Sequence, residues 1–155
     1  MADLPQRLIL ASASPRRREL LQRMGLRFDI RPAQVDEDNK PGKAPAAMVA
    51  ANAALKGGAV SREVPDALVL GSDTAVALGD EVLNKPVDLA EAQAMLRRLS
   101  GRGHVVYTAV ALLWETGGFE ESFVEASEVH FKDFGDAVID RYFEEVDPLD
   151  KAGAY

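Results

Sequence analysis

The sequence predicts an α/β fold, a mixed twisted sheet with flanking helices, and three observations carry that expectation. Short apolar runs of strand length, Leu8-Ile-Leu-Ala11 and the stretch from Ala67 to Leu78, alternate with segments of helical periodicity bounded by cap residues. Two long strand-like runs, 104–114 and 119–131, flank Gly117-Gly118, which reads as a hairpin turn and makes the sheet mixed rather than purely parallel. The chain has 155 residues, of which 47% are hydrophobic, enough for one compact domain with its own core.

The elements follow in order. Leu8-Ile-Leu-Ala11 is a buried strand that stops at Ser12-Ala-Ser14-Pro15. A helix is expected over 15–24, with Ser14 as N-cap, Pro15 at the first helical position and Gly25 past the end; Leu20, Leu21 and Met24 would form its apolar face. The polar stretch 36–44, with Pro41 and Gly42, reads as a loop. An alanine-rich helix over 45–60 carries Lys56 in its last turns. The segments 67–70 and 74–78 read as one strand, interrupted or immediately followed by Gly71-Ser72-Asp73. Gly79-Asp80 is a tight turn and Asn84-Lys85-Pro86 a loop. Asp88, with Glu91 three residues on, opens a helix that ends near Ser100-Gly101, and 136–145 forms a last short helix.

Composition narrows the function. With no cysteine, disulfides, thiol catalysis and iron–sulfur clusters are excluded, and a reducing cytoplasm is compatible. No run approaches the ~20 apolar residues of a membrane span, and Met1-Ala-Asp-Leu-Pro-Gln-Arg7 does not read as a signal peptide. A net charge of −7 weighs against a nucleic-acid polymer as partner, while leaving room for a small anion where positive charge is concentrated. Walker, Rossmann, His-Glu-x-x-His and Gly-x-Ser-x-Gly motifs are absent.

Four features carry chemistry. Arg16-Arg17-Arg18 places three cations at a helix N-terminus, where the dipole already disfavours positive charge; a bound anion resolves that conflict, against the bland reading of a solvated basic face. The side chains fan out, so one or two reach a common ligand. Asp73 interrupts an otherwise apolar strand, where a carboxylate is costly, and reads as a catalytic base or metal ligand rather than a turn residue. Lys56 and Lys85 are each unremarkable alone, but with the arginines they would neutralise a triphosphate. Asp36-Glu37-Asp38 is ordinarily a solvated loop, yet Mg²⁺ favours one or two carboxylates plus substrate phosphates, which Glu37 and Asp73 could supply. His104 and His130 lie on strands without metal-type spacing and read as structural.

Leu8-Ile-Leu-Ala-Ser-Ala-Ser-Pro-Arg-Arg-Arg-Glu-Leu-Leu21 resembles the opening signature of the Maf family of nucleotide pyrophosphatases. Val35-Asp-Glu37, Lys56, Gly71-Ser-Asp-Thr74, Lys85-Pro86, Leu99-Ser-Gly101, His104-Val-Val-Tyr-Thr108 and Asp150-Lys-Ala-Gly-Ala-Tyr155 extend the likeness along the chain. The resemblance implies a single Maf- and ITPase-like domain over 1–155, with two lobes around a cleft, and a divalent cation, Mg²⁺ or Mn²⁺. It further implies hydrolysis of nucleoside triphosphates to monophosphate and pyrophosphate. By motif, Asp73 would be the base, Glu37 and Asp73 metal ligands, and Ser12, Arg16, Arg17, Lys56, Thr74 and Lys85 substrate contacts. Ser12 and Thr74 are marked by the resemblance alone.

Thr74 and Asp150-Lys-Ala-Gly153 resemble members acting on dTTP and UTP, the substrates the resemblance favours, whereas Gly71-Ser72 is closer to those acting on 7-methyl-GTP, the alternative. A non-catalytic nucleotide-binding regulator of cell division is the alternative of a different class. Asn84 stands where the family usually has glycine, and the family continues beyond the position of Tyr155, so a C-terminally truncated domain is expected. A cytoplasmic protein with a triphosphate ligand is expected, with neither nucleic acid nor membrane as partner and a homodimer allowed.

Overall fold

The computed structural model describes residues 5–155; the N-terminal part of the segment read as carrying no signal peptide lies outside the described residues. Its sheet is mixed and six-stranded, in the order β2-β1-β3-β5-β6, with β4 pairing with β3. The strands are β1 Leu8–Leu10, β2 Asp29–Ile30, β3 Leu68–Leu78, β4 Glu81–Leu83, β5 Gly103–Trp114 and β6 Phe119–His130. The helices are α1 Pro15–Arg23, α2 Pro45–Glu63, α3 Leu89–Leu99 and α4 Asp136–Glu145, followed by a 3-10 turn, Ala152–Ala154. The chain divides into two compact units, one formed by 1–38, 47–73 and 108–124, the other by 39–46, 74–107 and 125–155.

In the first unit β1 runs parallel to both β2 and β3, with Leu8, Ile9 and Leu10 opposite Leu68, Val69 and Leu70. Strands covered on both faces need apolar sequence, which Leu8–Leu10 and the paired stretch Leu68–Leu70 supply. Ile9, Ala11, Val60, Ala67 and Val69 form a buried cluster, so α2 and the two strands share one core. Helix α1 starts as expected: Ser14 has extended backbone and its side chain accepts from the Arg17 N–H, and Gly25 takes φ +75 beyond the helix. Its apolar face is narrower than expected. Leu21 is buried, but Leu20 and Met24 are 56% and 70% exposed, on the side of this short helix turned to solvent.

Helix α2 continues to Glu63, so Lys56 lies near its middle rather than in its last turns. Strand β3 passes through Gly71-Ser72-Asp73 without a break. The glycine is there for close approach rather than for a turn. A Cβ on Gly71 would fall 2.3 Å from the Ala53 carbonyl oxygen and 2.6 Å from the Gly57 nitrogen, while the Cβ of an alanine at 57 would be 2.5 Å from Leu113 Cδ1. With two facing glycines, helix backbone rests on strand backbone.

In the second unit, Gly79 at φ +62 turns β3 into β4, and Val76, Ala77 and Leu78 pair antiparallel with Leu83, Val82 and Glu81. Helix α3 opens on a variant of the capping box: Asp88 Oδ1 accepts the Glu91 N–H at 2.8 Å, and Glu91 Oε2 accepts the N–H of Val87, one residue before the cap, at 2.6 Å. The core joins Val76, Leu83, Ala92, Met95, Leu96 and Leu99 to Ile139 of α4 and Ala154 of the 3-10 turn. No helix among the described residues is long and apolar enough to cross a membrane.

Candidate active site

Asp73 is the last residue of the first unit along β3, and it is 7% exposed. A carboxylate this buried must be compensated. Two side chains from α2 do so. Lys56 Nζ donates to Asp73 Oδ1 at 2.9 Å, and Asn52 Nδ2 donates to Oδ2 at 3.2 Å. Residues four apart on a helix share a face, so 52 and 56 present their polar ends to the same carboxylate. The Gly57–Gly71 contact brings that face within reach of the strand.

Lys56 also pairs with Glu37, its Nζ 2.6 Å from Oε1. One half-buried ammonium therefore holds the two carboxylates read as metal ligands. The loop bearing Glu37 is clasped in turn, because the Asp38 N–H donates to Asn52 Oδ1 at 3.2 Å.

The arginine-rich helix start completes the first-unit group. Arg17 turns inward and donates from its guanidinium to Ser12 Oγ at 3.0 Å, and the Ser14 N–H donates to the same oxygen at 3.2 Å. With both contacts accepted, the Ser12 hydroxyl keeps its own proton to donate. Burial lowers the Arg17 pKa from the ordinary arginine value, and Arg16 lowers it further, while Asp73 and Glu37 act in the opposite sense. The two carboxylates are thus felt at the guanidinium. Arg16 and Arg18 are exposed.

Of the residues singled out in the sequence, Ser12, Arg17, Glu37, Lys56 and Asp73 lie in the first unit and are joined by these bonds and fields. Thr74 and Lys85 belong to the second unit: Thr74 is half-buried directly after Asp73, and Lys85 is exposed on the loop after β4. Among the described residues no group of three or more His, Asp or Glu side chains gathers as a metal cage. The two carboxylates around one cation nevertheless fit an ion of the Mg²⁺ class, which takes one or two protein carboxylates and completes its shell with water and phosphate.

Asn52 escaped the sequence reading. It is 1% exposed, and a lone asparagine in an alanine-rich helix signals only in retrospect, through its spacing from Lys56. Both histidines belong to the second unit. His104 is buried in the second unit, Nε2 2.5 Å from the Tyr155 hydroxyl and edge-on to Phe131, while His130 is exposed.

A family model described as Maf-like protein matches residues 7–155. A dTTP/UTP pyrophosphatase of Anaeromyxobacter dehalogenans is 52% identical over 151 residues, covering 96% of this chain and 76% of the relative. That of Myxococcus xanthus is 49% identical over 148 residues, covering 96% and 74%, and that of Moorella thermoacetica 48% over 149, covering 96% and 77%. From the opening Arg7 to Tyr155, through the strand that carries Asp73 and the helix that carries Lys56, the chain belongs to the Maf-like protein family.

Proposed function

We propose that this chain hydrolyses nucleoside triphosphates, dTTP and UTP by preference, to the monophosphate and pyrophosphate. The observation that carries the reading is the Asp73 carboxylate, buried at a strand, aligned by Asn52 and Lys56, and sharing Lys56 with Glu37. The names of the relatives support the substrate class.

In the proposed reaction, the oxygen of a water molecule bonds to the α-phosphorus as the bond from that phosphorus to the bridging oxygen breaks. The water's proton passes to Asp73, and the electron pair leaves with pyrophosphate. Arg17 and the Ser12 hydroxyl, beside the N-terminus of α1, donate to phosphate oxygens, and Arg16 adds charge at the helix mouth. The Lys56 ammonium, with three donors, turns one of them from carboxylate to phosphate. Glu37 and Asp73 would hold a divalent cation, Mg²⁺ or Mn²⁺, which when bound screens phosphate charge and acidifies water. The roles of Thr74 and Lys85 rest on the motif alone. A cytoplasmic location belongs to the same reading.

Incubation with dTTP, UTP or 7-methyl-GTP and Mg²⁺ in ¹⁸O-water tests this. Pyrophosphate and ¹⁸O-labelled monophosphate are expected, fastest from dTTP and UTP, and Asp73→Asn should lower kcat by about 10²–10⁴-fold. Orthophosphate as product would overturn the assignment of the bond, tight binding without turnover the assignment as an enzyme, and faster cleavage of 7-methyl-GTP the base preference.

A further inference from the structure

We infer that Asn52 is a positioning residue for this reaction, holding the base and the metal-side loop in register through one amide. The inference rests on the reading of Asp73 as base and Glu37 as metal ligand. The geometry supplies the rest. Asn52 is buried to 1% exposure on the face of α2 that rests against β3, where an amide without partners would be costly. Its two ends meet groups of opposite character. A backbone N–H can only donate, so the end facing the Asp38 nitrogen is the oxygen; an ionised carboxylate can only accept, so the end facing Asp73 Oδ2 is the NH₂. The orientation of the amide is thereby forced from both sides.

What the amide joins matters more than the two bonds themselves. The nitrogen of Asp38 belongs to the peptide unit that immediately follows Glu37, so Asn52 holds the backbone that aims the Glu37 carboxylate. Its other end fixes one oxygen of Asp73, and Lys56, one helical turn later, fixes the second. Lys56 then closes the circuit on Glu37. Five residues form a ring, Asn52–Asp73–Lys56–Glu37 and, through the Glu37–Asp38 peptide, the Asp38 N–H back to Asn52, and only Asn52 contributes both a donor and an acceptor to it. Lysine has no acceptor and a carboxylate no donor at neutral pH, so neither can replace it. Each oxygen of Asp73 keeps lone-pair capacity beyond these contacts, which is where a water would be received.

Two substitutions separate the halves of the role. Asn52→Leu fills the volume and loses both bonds; Asn52→Asp keeps an acceptor for the Asp38 N–H and loses the donor to Asp73. Steady-state kinetics on dTTP, Mn²⁺ titration followed by paramagnetic resonance, and thermal unfolding are measured for both beside Asp73→Asn. Partners that orient a site ordinarily change activity or metal affinity by about 10–100-fold. Both Asn52 variants are expected to lose kcat in that range with KM for dTTP changed less than about threefold, and Mn²⁺ affinity should fall several-fold in Asn52→Leu but not in Asn52→Asp. Wild-type kcat in either variant overturns the inference, as does a lowered Tm with unchanged kcat, which would mark Asn52 as a packing residue only. Equal Mn²⁺ affinity in Asn52→Leu and the wild type overturns the link to the Glu37 loop. If Asn52→Leu fails to fold, Asn52→Asp alone decides the kinetic arm. Full activity in Asp73→Asn would instead sink the reading of the base, whatever the Asn52 variants do.

Discussion

Replacing Gly71 by alanine tests whether the approach of α2 to β3 is what assembles the site. The added Cβ would stand 2.3 Å from the Ala53 carbonyl oxygen, 2.6 Å from the Gly57 nitrogen and 2.8 Å from the Gly57 Cα, whereas separations under 3.0 Å are essentially never seen. All three obstacles are helix backbone, so no side-chain rotation relieves them. The helix must withdraw by at least the gap between 2.3 and 3.0 Å. A withdrawal of that size along the bond carries the 3.2 Å contact of Asn52 with Asp73 out of hydrogen-bonding range and loosens that of Lys56. Overpacking of this kind costs about 1–3 kcal/mol. At about 2–4 °C per kcal/mol for a chain of this size, Tm should fall by about 2–12 °C. Misplacement approaching 1 Å costs up to about 10²-fold in rate, so kcat should fall at least about tenfold. The control is Gly79→Ala: its new Cβ meets nothing within 4 Å, and its φ of +62 costs about 1–2 kcal/mol with no loss of kcat. Gly71→Ala with wild-type Tm and kcat would refute the reasoning.

Three further outcomes are expected. Asp88→Ala should lower stability by about 0.5–2 kcal/mol in denaturant unfolding, and a double-mutant cycle with Glu91→Ala should show coupling, since Asp88 accepts the Glu91 N–H while Glu91 accepts the N–H of Val87, next to Asp88; strict additivity would contradict a coupled cap. Burial, followed by the charge of His130, lowers the His104 pKa below its ordinary value. The unfolded chain therefore binds the extra proton first as pH falls. The stability contributed by neutral His104 is full above the ordinary histidine value near ~6.5 and is lost as pH drops from there towards the folded value. Tm followed from pH 8 to 5 should consequently fall more steeply in the wild type than in His104→Phe; parallel curves would be the contrary result. Burial raises the Tyr155 hydroxyl, partner of His104, to about 12, so the pair should show no tyrosinate absorbance at pH 10.5 while the protein stays folded.

Much of the architecture could be read from residues whose physics is local. Ser14, Pro15 and Gly25 bound α1 because capping is decided within one turn, and Asp73 stood out because a carboxylate in an apolar strand has few bland explanations. Strands β2 and β4, two and three residues long, are too short to express any period, and the 3-10 turn over 152–154 depends on packing against Val76. Gly71 was legible as a special position but not as which kind, since a glycine needed for a turn and one needed for backbone contact look alike in sequence. Leu20 and Met24 show the converse: helical spacing told which residues align, not whether anything would cover them. Of the arginine run, the fan predicted one or two inward side chains, and only packing selected Arg17. Asn52 was silent because its meaning lies in a partner more than twenty residues away along the chain.

The lysine between two acids has one more consequence. Without a cation between them, the carboxylates of Glu37 and Asp73 would repel each other, and the loop bearing Glu37 would be pushed outward. Lys56 supplies an internal counter-ion, so the fold does not wait for a metal before the acids can be brought together. Small metallo-domains that lack such a substitute unfold when stripped. This chain should instead keep its melting temperature in EDTA, surrendering turnover while retaining the shape that turnover requires.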